Sequence, residues 1–108
     1  MFTGLIITTA DDDVFRITHE NTKYFQINRN KIKSIRLVFK DKIVFTITKH
    51  SKIKEWYFGF INSVDSRGKN KLFAVEAGYF TTEGEFIRFQ MLAHDGSIRL
   101  VKGLSPVK

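Results

Sequence analysis

The chain has 108 residues, of which 43% are hydrophobic and 14% aromatic, and it carries a formal net charge of +7 and no cysteine. This length suits one domain, and the apolar content excludes a disordered chain. The lack of cysteine excludes a disulfide scaffold, a thiolate zinc site and a cysteine nucleophile. No apolar run approaches the ~20 residues of a membrane-spanning helix, and the N-terminus does not resemble a signal peptide. We therefore expect a soluble, cytoplasmic protein with a single domain over 1–108, in which 103–108 form a flexible tail.

Five consecutive antiparallel strands are predicted between residues 2 and 49, because apolar and polar residues alternate there with period two. Turns are predicted at 11–13, 20–22, 28–30 and 40–42. They give the cross-strand pairs Ile17–Phe25, Phe15–Ile27, Phe39–Ile43, Leu37–Phe45 and Ile35–Ile47, with Leu5 and Ile7 on the opening strand. Ile32 is out of phase with Ile35, which predicts a β-bulge near Lys33.

A helix is predicted at about residues 52–66. Its apolar residues recur with the spacing of one helical face: Ile53, Trp56, Tyr57, Phe60, Ile61 and Val64. Ser51 can cap its N-terminus and Gly68 can end it. Gly59, in the middle, and the aromatic run are features that a strand would also accommodate.

A three-stranded meander is predicted for the last third of the chain. Loops at Thr82–Gly84 and Asp95-Gly96 place glycine where a positive φ is required. The predicted cross-strand pairs are Tyr79–Ile87, Ala77–Phe89, Met91–Leu100 and Ala93–Ile98.

These elements predict an α+β domain that is mostly antiparallel β. It consists of a five-strand meander, one helix at about 52–66 and a three-strand meander, arranged as a partial barrel or as two packed sheets. A strand meander followed by a helix is broadly similar to single-strand-binding folds of the PUR and Whirly type. That resemblance implies single-stranded nucleic acid as a partner.

The sequence contains no enzyme motif. The three histidines, His19, His50 and His94, lack metal-ligand spacing, and no serine lies in a nucleophile motif or glycine-rich phosphate loop. Carboxylates at 11–13 and at Glu83 and Glu85 could bind a cation or transfer protons, but solvated turns explain them better. We therefore expect a non-enzymatic protein without cofactor or metal. A small enzyme would require His50 or His94 to meet a carboxylate in a pocket.

Positive charge is concentrated in residues 16–54, where eleven basic residues face only Glu20 and Asp41. Six of the basic residues are predicted to meet at one end of the first meander, beside the start of the helix: Arg29, Lys31, Lys33, Lys49, Lys52 and Lys54. Cations in the first turn of a helix destabilise it by roughly 0.3–1 kcal/mol each. Fold stability therefore does not explain Lys52 and Lys54, whereas a bound phosphate would.

Outward-facing sheet residues extend this basic end into a polar surface: Arg16, Tyr24, Gln26, Asn28, Arg36, Thr46 and Thr48. Tyr24 offers a ring on which a base can stack. The sequence thus predicts a small basic protein that contacts nucleic-acid phosphates through the six-residue basic end, assisted by Arg16, Tyr24 and Arg36.

The alternative is a protein–protein interaction module, such as an inhibitor or assembly component encoded by a phage or mobile element. It would use a free sheet edge or an apolar patch around Phe58, and edge pairing would allow a homodimer. A third reading of the basic residues is a solvated surface. The choices between DNA and RNA, and between single and double strands, stay open at this point.

Overall fold

The computed structural model describes residues 3–22 and 27–102. Within these ranges the chain forms eight β-strands, together with a 3₁₀ turn at Arg29–Lys31. The strands are β1 (Thr3–Thr9), β2 (Val14–Ile17), β3 (Ile32–Phe39), β4 (Lys42–Thr48), β5 (Ile53–Val64), β6 (Asn70–Thr81), β7 (Phe86–Leu92) and β8 (Ile98–Lys102).

The strands form two antiparallel sheets of four strands each. Sheet A has the order β2–β1–β3–β4, and sheet B has the order β5–β6–β7–β8. Because each strand has an apolar face, the two sheets pack their apolar faces together, and the ring centroids of Phe45 and Phe89 lie 4.7 Å apart across the interface. The core contains Leu5, Ile7, Ile17, Ile32, Ile35, Leu37, Ile47, Ile53, Trp56, Val75, Ala77 and Met91.

The predicted α+β fold is wrong, because no α-helix is present in the described ranges and the predicted helix at 52–66 is strand β5. Trp56, Phe58 and Phe60 pair with residues of β6 and belong to the core, while Tyr57 and Gly59 point away from it. Both faces of β5 are at least partly covered, so apolar residues occur on both and do not alternate with polar ones. Their spacing happens to match one face of a helix. The resemblance to PUR and Whirly folds therefore loses its basis.

The predicted five-strand meander is also wrong. Strand β1 lies in the interior of sheet A, where Leu5 pairs with Ile17 on one side and with Leu37 on the other. The expected strand around Phe25 falls on 23–26, outside the described residues, and Ile27 packs against the core without belonging to a strand. The alternation of apolar and polar residues identifies the buried face of a strand but not the strands beside it. It therefore could not predict the order of the strands in the sheet.

The registers of the two central hairpins are largely confirmed. The β-bulge at Lys33 is present, since Thr8 pairs with Ser34 and Thr9 with Ile32. The pairs Ile35–Ile47 and Leu37–Phe45 in sheet A, and Tyr79–Ile87 and Ala77–Phe89 in sheet B, are as predicted.

Three predicted pairings are wrong, each for a local reason: Phe39–Ile43, Met91–Leu100 and Ala93–Ile98. Lys40 and Asp41 form a tight turn with positive φ, so that Ile43 pairs with Val38 and not with Phe39. In the last hairpin Met91 pairs with Ile98 and not with Leu100, because the Asp95 side chain accepts hydrogen bonds from Ser97 and enlarges the turn. In the last hairpin the shift is two residues, so Met91 and Ile98 still face the core. Leu100, also predicted on that face, is 55% exposed.

Candidate nucleic-acid interface

Four of the six predicted basic residues lie where the chain enters β3 and leaves β4: Arg29, Lys31, Lys33 and Lys49. Arg29 and Lys31 are in the 3₁₀ turn, and Lys33 is the bulge residue that follows it. The backbone N–H of Lys49 donates to Lys33 O at 2.9 Å, and its Nζ lies 3.4 Å from Asn30 O. Lys52 accepts a backbone hydrogen bond from Thr82, which joins this region to sheet B.

Carboxylates accompany three of these lysines. Lys31 and Lys33 lie 3.9 Å and 3.2 Å from Asp11 and Asp12, and Lys52 lies 3.9 Å from Glu83. Asp11 and Asp12 lie beside the first two of these lysines because β1 pairs with β3, which brings the β1–β2 turn next to the start of β3. These pairs are exposed and contribute only about 0–1 kcal/mol each. They nevertheless lower the net positive charge of this end below what the sequence suggested.

Arg29 has a role within the fold. Its guanidinium carbon lies 4.6 Å from the centroid of the Phe58 ring, and its terminal nitrogen donates to Trp56 O at 3.5 Å. Both contacts hold the 3₁₀ turn against the edge strand β5. Phe58 is partly buried and packs against the core, so it is less exposed than the predicted apolar patch requires.

The outer face of sheet A carries a different group of polar residues, aligned in two rungs. One rung joins Thr8, Ser34 and Thr48 across β1, β3 and β4. The next joins Arg16, Ile6, Arg36 and Thr46 across all four strands. These residues border an open groove of about 470 Å³, lined by Thr8, Asp12, Lys33, Ser34, Arg36, Thr46, Thr48 and Lys49.

The two arginines in this rung have no partner. Neither guanidinium makes an ion pair or a hydrogen bond with any residue of the described ranges. They flank Ile6, which is only 6% exposed even though it is on the outer face, as expected if the aliphatic stems of the arginines cover it. The outer face therefore presents two free guanidinium groups on a sheet surface that is otherwise mostly neutral.

The groove also contains a buried hydroxyl with no hydrogen-bond partner, Thr8 Oγ1. Thr8 is 9% exposed and lies in the rung next to the arginines. A buried polar atom left unpaired costs about 1–3 kcal/mol.

Of the remaining predicted site residues, Lys54 lies at the start of β5, where it is exposed and remote from the groove of sheet A. Tyr24, the predicted stacking ring, falls in 23–26, outside the described residues. The structure thus brings Arg16, Arg36, Lys33 and Lys49 to one face, separate from Arg29 and Lys52.

A second polar cluster lies on the outer face of sheet B, around the buried carboxylate of Glu76. Tyr57 donates its hydroxyl to Glu76 at 3.2 Å, Gln90 donates its amide to the same carboxylate, and Arg88 Nε lies 3.4 Å away. The pKa of Tyr57 is raised above its usual value near 10, mainly because the side chain is partly buried and secondly because Glu76 is negatively charged. The phenol therefore stays protonated and can donate its hydrogen bond. The members of this cluster mainly bond one another, which identifies it as a stabilising element of sheet B.

Three cations that the sequence analysis did not single out lie near the tip of the β5–β6 hairpin: Arg67, Lys69 and Lys71. The helix predicted at about 52–66 covered the start of this hairpin, and no role was predicted for the residues that follow it. The sequence did contain a signal, since three basic residues alternate there with Gly68 and Asn70 and only Asp65 is nearby.

Other kinds of site find no support in the part of the chain that the structure describes. Over 3–22 and 27–102, no group of three or more His, Asp or Glu side chains could hold a metal ion. Within the same ranges no helix has the length and apolar character needed to cross a membrane. No family model, curated protein or solved structure matches the chain.

Proposed function

We propose that this protein is a non-enzymatic nucleic-acid-binding protein that holds a sugar–phosphate backbone against the outer face of sheet A. The observation that carries the proposal is the rung containing Arg16 and Arg36, whose guanidinium groups have no partner among the described residues. Arg36 lines a groove that is bordered by hydroxyl groups and by the charged residues Asp12, Lys33 and Lys49. Arginine binds phosphate through two parallel hydrogen bonds, which makes a free arginine on a sheet surface well suited to a nucleic-acid backbone.

The geometry of the sheet sets the distances between the donors on this face. Arg16 and Arg36 are separated by strand β1, so their Cα atoms are about 10 Å apart, or two interstrand distances. The hydroxyl rung is two residues further along the strands, at about 7 Å. Ser34 and Thr48, which line the groove, then offer hydroxyl donors to the same backbone.

The lysines at the rim of the groove supplement this contact. The Lys33–Asp12 pair is exposed, with 61% and 77% of the two side chains accessible, so a phosphate can replace the carboxylate at little cost. Lys49 bonds only to a backbone carbonyl. Lys31 and Lys52 do not line the groove and have no part in this contact.

A salt-dependent binding measurement tests the proposal. In fluorescence-anisotropy titrations at about 50 and 200 mM salt, we expect affinity for labelled oligonucleotides to fall steeply with salt, because bound phosphates release counterions. The double variant Arg16→Gln/Arg36→Gln should lose roughly 10-fold or more in affinity at the lower salt, and its slope of log K against log salt should be shallower by about 2.

The control removes the same charge from the other group of basic residues. Lys52→Gln/Lys54→Gln changes the net charge equally but leaves sheet A intact, and we expect it to bind within about 2-fold of the wild type. Equal losses in both variants would mean that only net charge matters. No binding by the wild-type protein at about 50 mM salt would overturn the proposal.

A protein partner is the second candidate function, and the exposed edge of sheet A favours it. Ile43 and Val44 are 50% and 40% exposed on β4, the edge strand. A partner strand could pair with this edge and cover both side chains. Such an interface would be largely insensitive to salt, which separates it from the nucleic-acid proposal.

A further inference from the structure

The β5–β6 hairpin extends beyond the rest of sheet B. Strand β7 pairs with β6 only from Ala74 to Phe80, so residues 62–72 pair with one another alone. This two-stranded arm, residues 62–72, has three ladder pairs and is about 10 Å long before its turn. Almost every residue in it is exposed.

The turn of the arm is well defined. The Asp65 carboxylate accepts hydrogen bonds from the backbone N–H groups of Arg67 and Lys69, both at 2.9 Å. Gly68 takes a φ of +78°, and the Asp65 N–H donates to Lys69 O at 2.9 Å. The acidic residue of the arm is therefore engaged by the backbone.

The three cations of the arm have no ion pair with any described residue. The side chains of Arg67, Lys69 and Lys71 lack the carboxylate partners that Lys31, Lys33 and Lys52 have. Val64, beside the turn, exposes 66% of its surface. The arm therefore combines free positive charge with one exposed apolar side chain.

We propose that the arm enters the major groove of duplex DNA, which would make double-stranded DNA the preferred substrate of this protein. The inference rests on the proposed function and extends it. The major groove of B-form DNA is about 12 Å wide and admits a two-stranded β-ribbon. The corresponding groove of A-form RNA is too deep and narrow for side chains to read.

The chemistry of the arm agrees with this placement. Arg67 and Lys69 stand on the turn, where phosphates on both sides of a groove can reach them. Val64 can contact a thymine methyl group, the apolar feature of that groove. At the base of the arm, Lys71 lines an open groove of about 460 Å³ together with His94, which leaves room for a DNA backbone beside the arm.

The test compares three probes of one sequence in anisotropy titrations at about 50 mM salt: a DNA duplex, its single strand and the matching RNA duplex. The variant Arg67→Gln/Lys69→Gln/Lys71→Gln is compared with Lys40→Gln/Lys52→Gln/Lys54→Gln, which removes the same charge outside the arm. We expect the arm variant to lose roughly 10-fold or more in affinity for the DNA duplex and about 2-fold or less for the other two probes. The control should lose about 2-fold or less on all three probes.

Equal losses by the arm variant on all three probes, or equal losses by the two variants, would overturn the inference. If Arg16→Gln/Arg36→Gln weakens binding and the arm variant does not, the arm inference fails while the proposed function stands. If the wild-type protein binds none of the probes, both fail together.

Discussion

Replacing Gly78 with alanine is expected to lower the free energy of unfolding by about 2–3 kcal/mol, because strands β6 and β7 approach each other closely at this position. A Cβ atom on Gly78 would lie 2.2 Å from Ile87 O and 2.9 Å from the Cα of Arg88. Both of these are backbone atoms, so the overlap can be removed only if strand β7 itself shifts. Urea denaturation followed by tryptophan fluorescence measures the loss, since Trp56 is the only tryptophan and lies in the core.

Gly59→Ala is the matched control. Gly59 lies one strand away on the same outer face, and the nearest atom to its added Cβ would be the Tyr57 hydroxyl at 3.5 Å, an ordinary contact. Alanine restricts the unfolded chain more than glycine does, so we expect a change between zero and a stabilisation of about 1 kcal/mol. Similar losses in the two variants would contradict the close approach of β6 and β7.

The second large effect is expected at Glu76. Glu76→Ala removes the carboxylate that bonds Tyr57 and Gln90 and faces Arg88, all on the outer face of sheet B. The arginine would keep its charge in a site where only 20% of its side chain is accessible, without the carboxylate that compensates it. Breaking such a pair on one side costs about 3 kcal/mol, measurable by the same denaturation experiment.

Glu83→Ala serves as the control for this prediction. Glu83 is exposed in the β6–β7 turn and forms only the exposed pair with Lys52, so its removal should cost less than about 1 kcal/mol. If Glu76→Ala is as stable as the wild type, the buried network contributes nothing to the fold.

Local chemistry made several parts of the fold predictable from the sequence. The Thr82–Gly84 turn, with Gly84 at a φ of +84°, set the register of β6 against β7. The phase change between Ile32 and Ile35 revealed the bulge at Lys33. Each of these depends on residues within a few positions of one another, where spacing has a direct structural meaning.

Two features of the fold could not be predicted from local sequence spacing. In β5 both faces carry apolar or aromatic residues, so the sequence from Trp56 to Ile61 fits a helical stripe as well as a strand, and only pairing with the long strand β6 decides between them. The interior position of β1 depends on its pairing with β3, which is distant in the sequence. Its apolar residues Leu5 and Ile7 would have suited either position in the sheet.

The candidate site was predictable only in part, because local alternation shows which side chains face outward but not which strands lie side by side. Arg16, Arg36 and the threonines of β4 were expected to face outward from alternation alone, and the rungs of sheet A contain them. The aspartates beside Lys31 and Lys33 were not expected, because their proximity follows from the order of the strands. The arm was missed because the helix predicted at about 52–66 covered its first half and no role was predicted for Arg67, Lys69 and Lys71.

The most direct test of the account is to map the surface that nucleic acid touches. Backbone amide chemical shifts of the ¹⁵N-labelled protein should be followed during titration with a short DNA duplex at about 50 mM salt, where phosphate contacts are strongest. We expect the largest changes on the outer face of sheet A, at Thr8, Arg16, Ser34, Arg36 and Thr46, and in the arm at 62–72, with the rest of sheet B unchanged. Changes confined to the edge strand β4, or to the Glu76 cluster, would contradict the account.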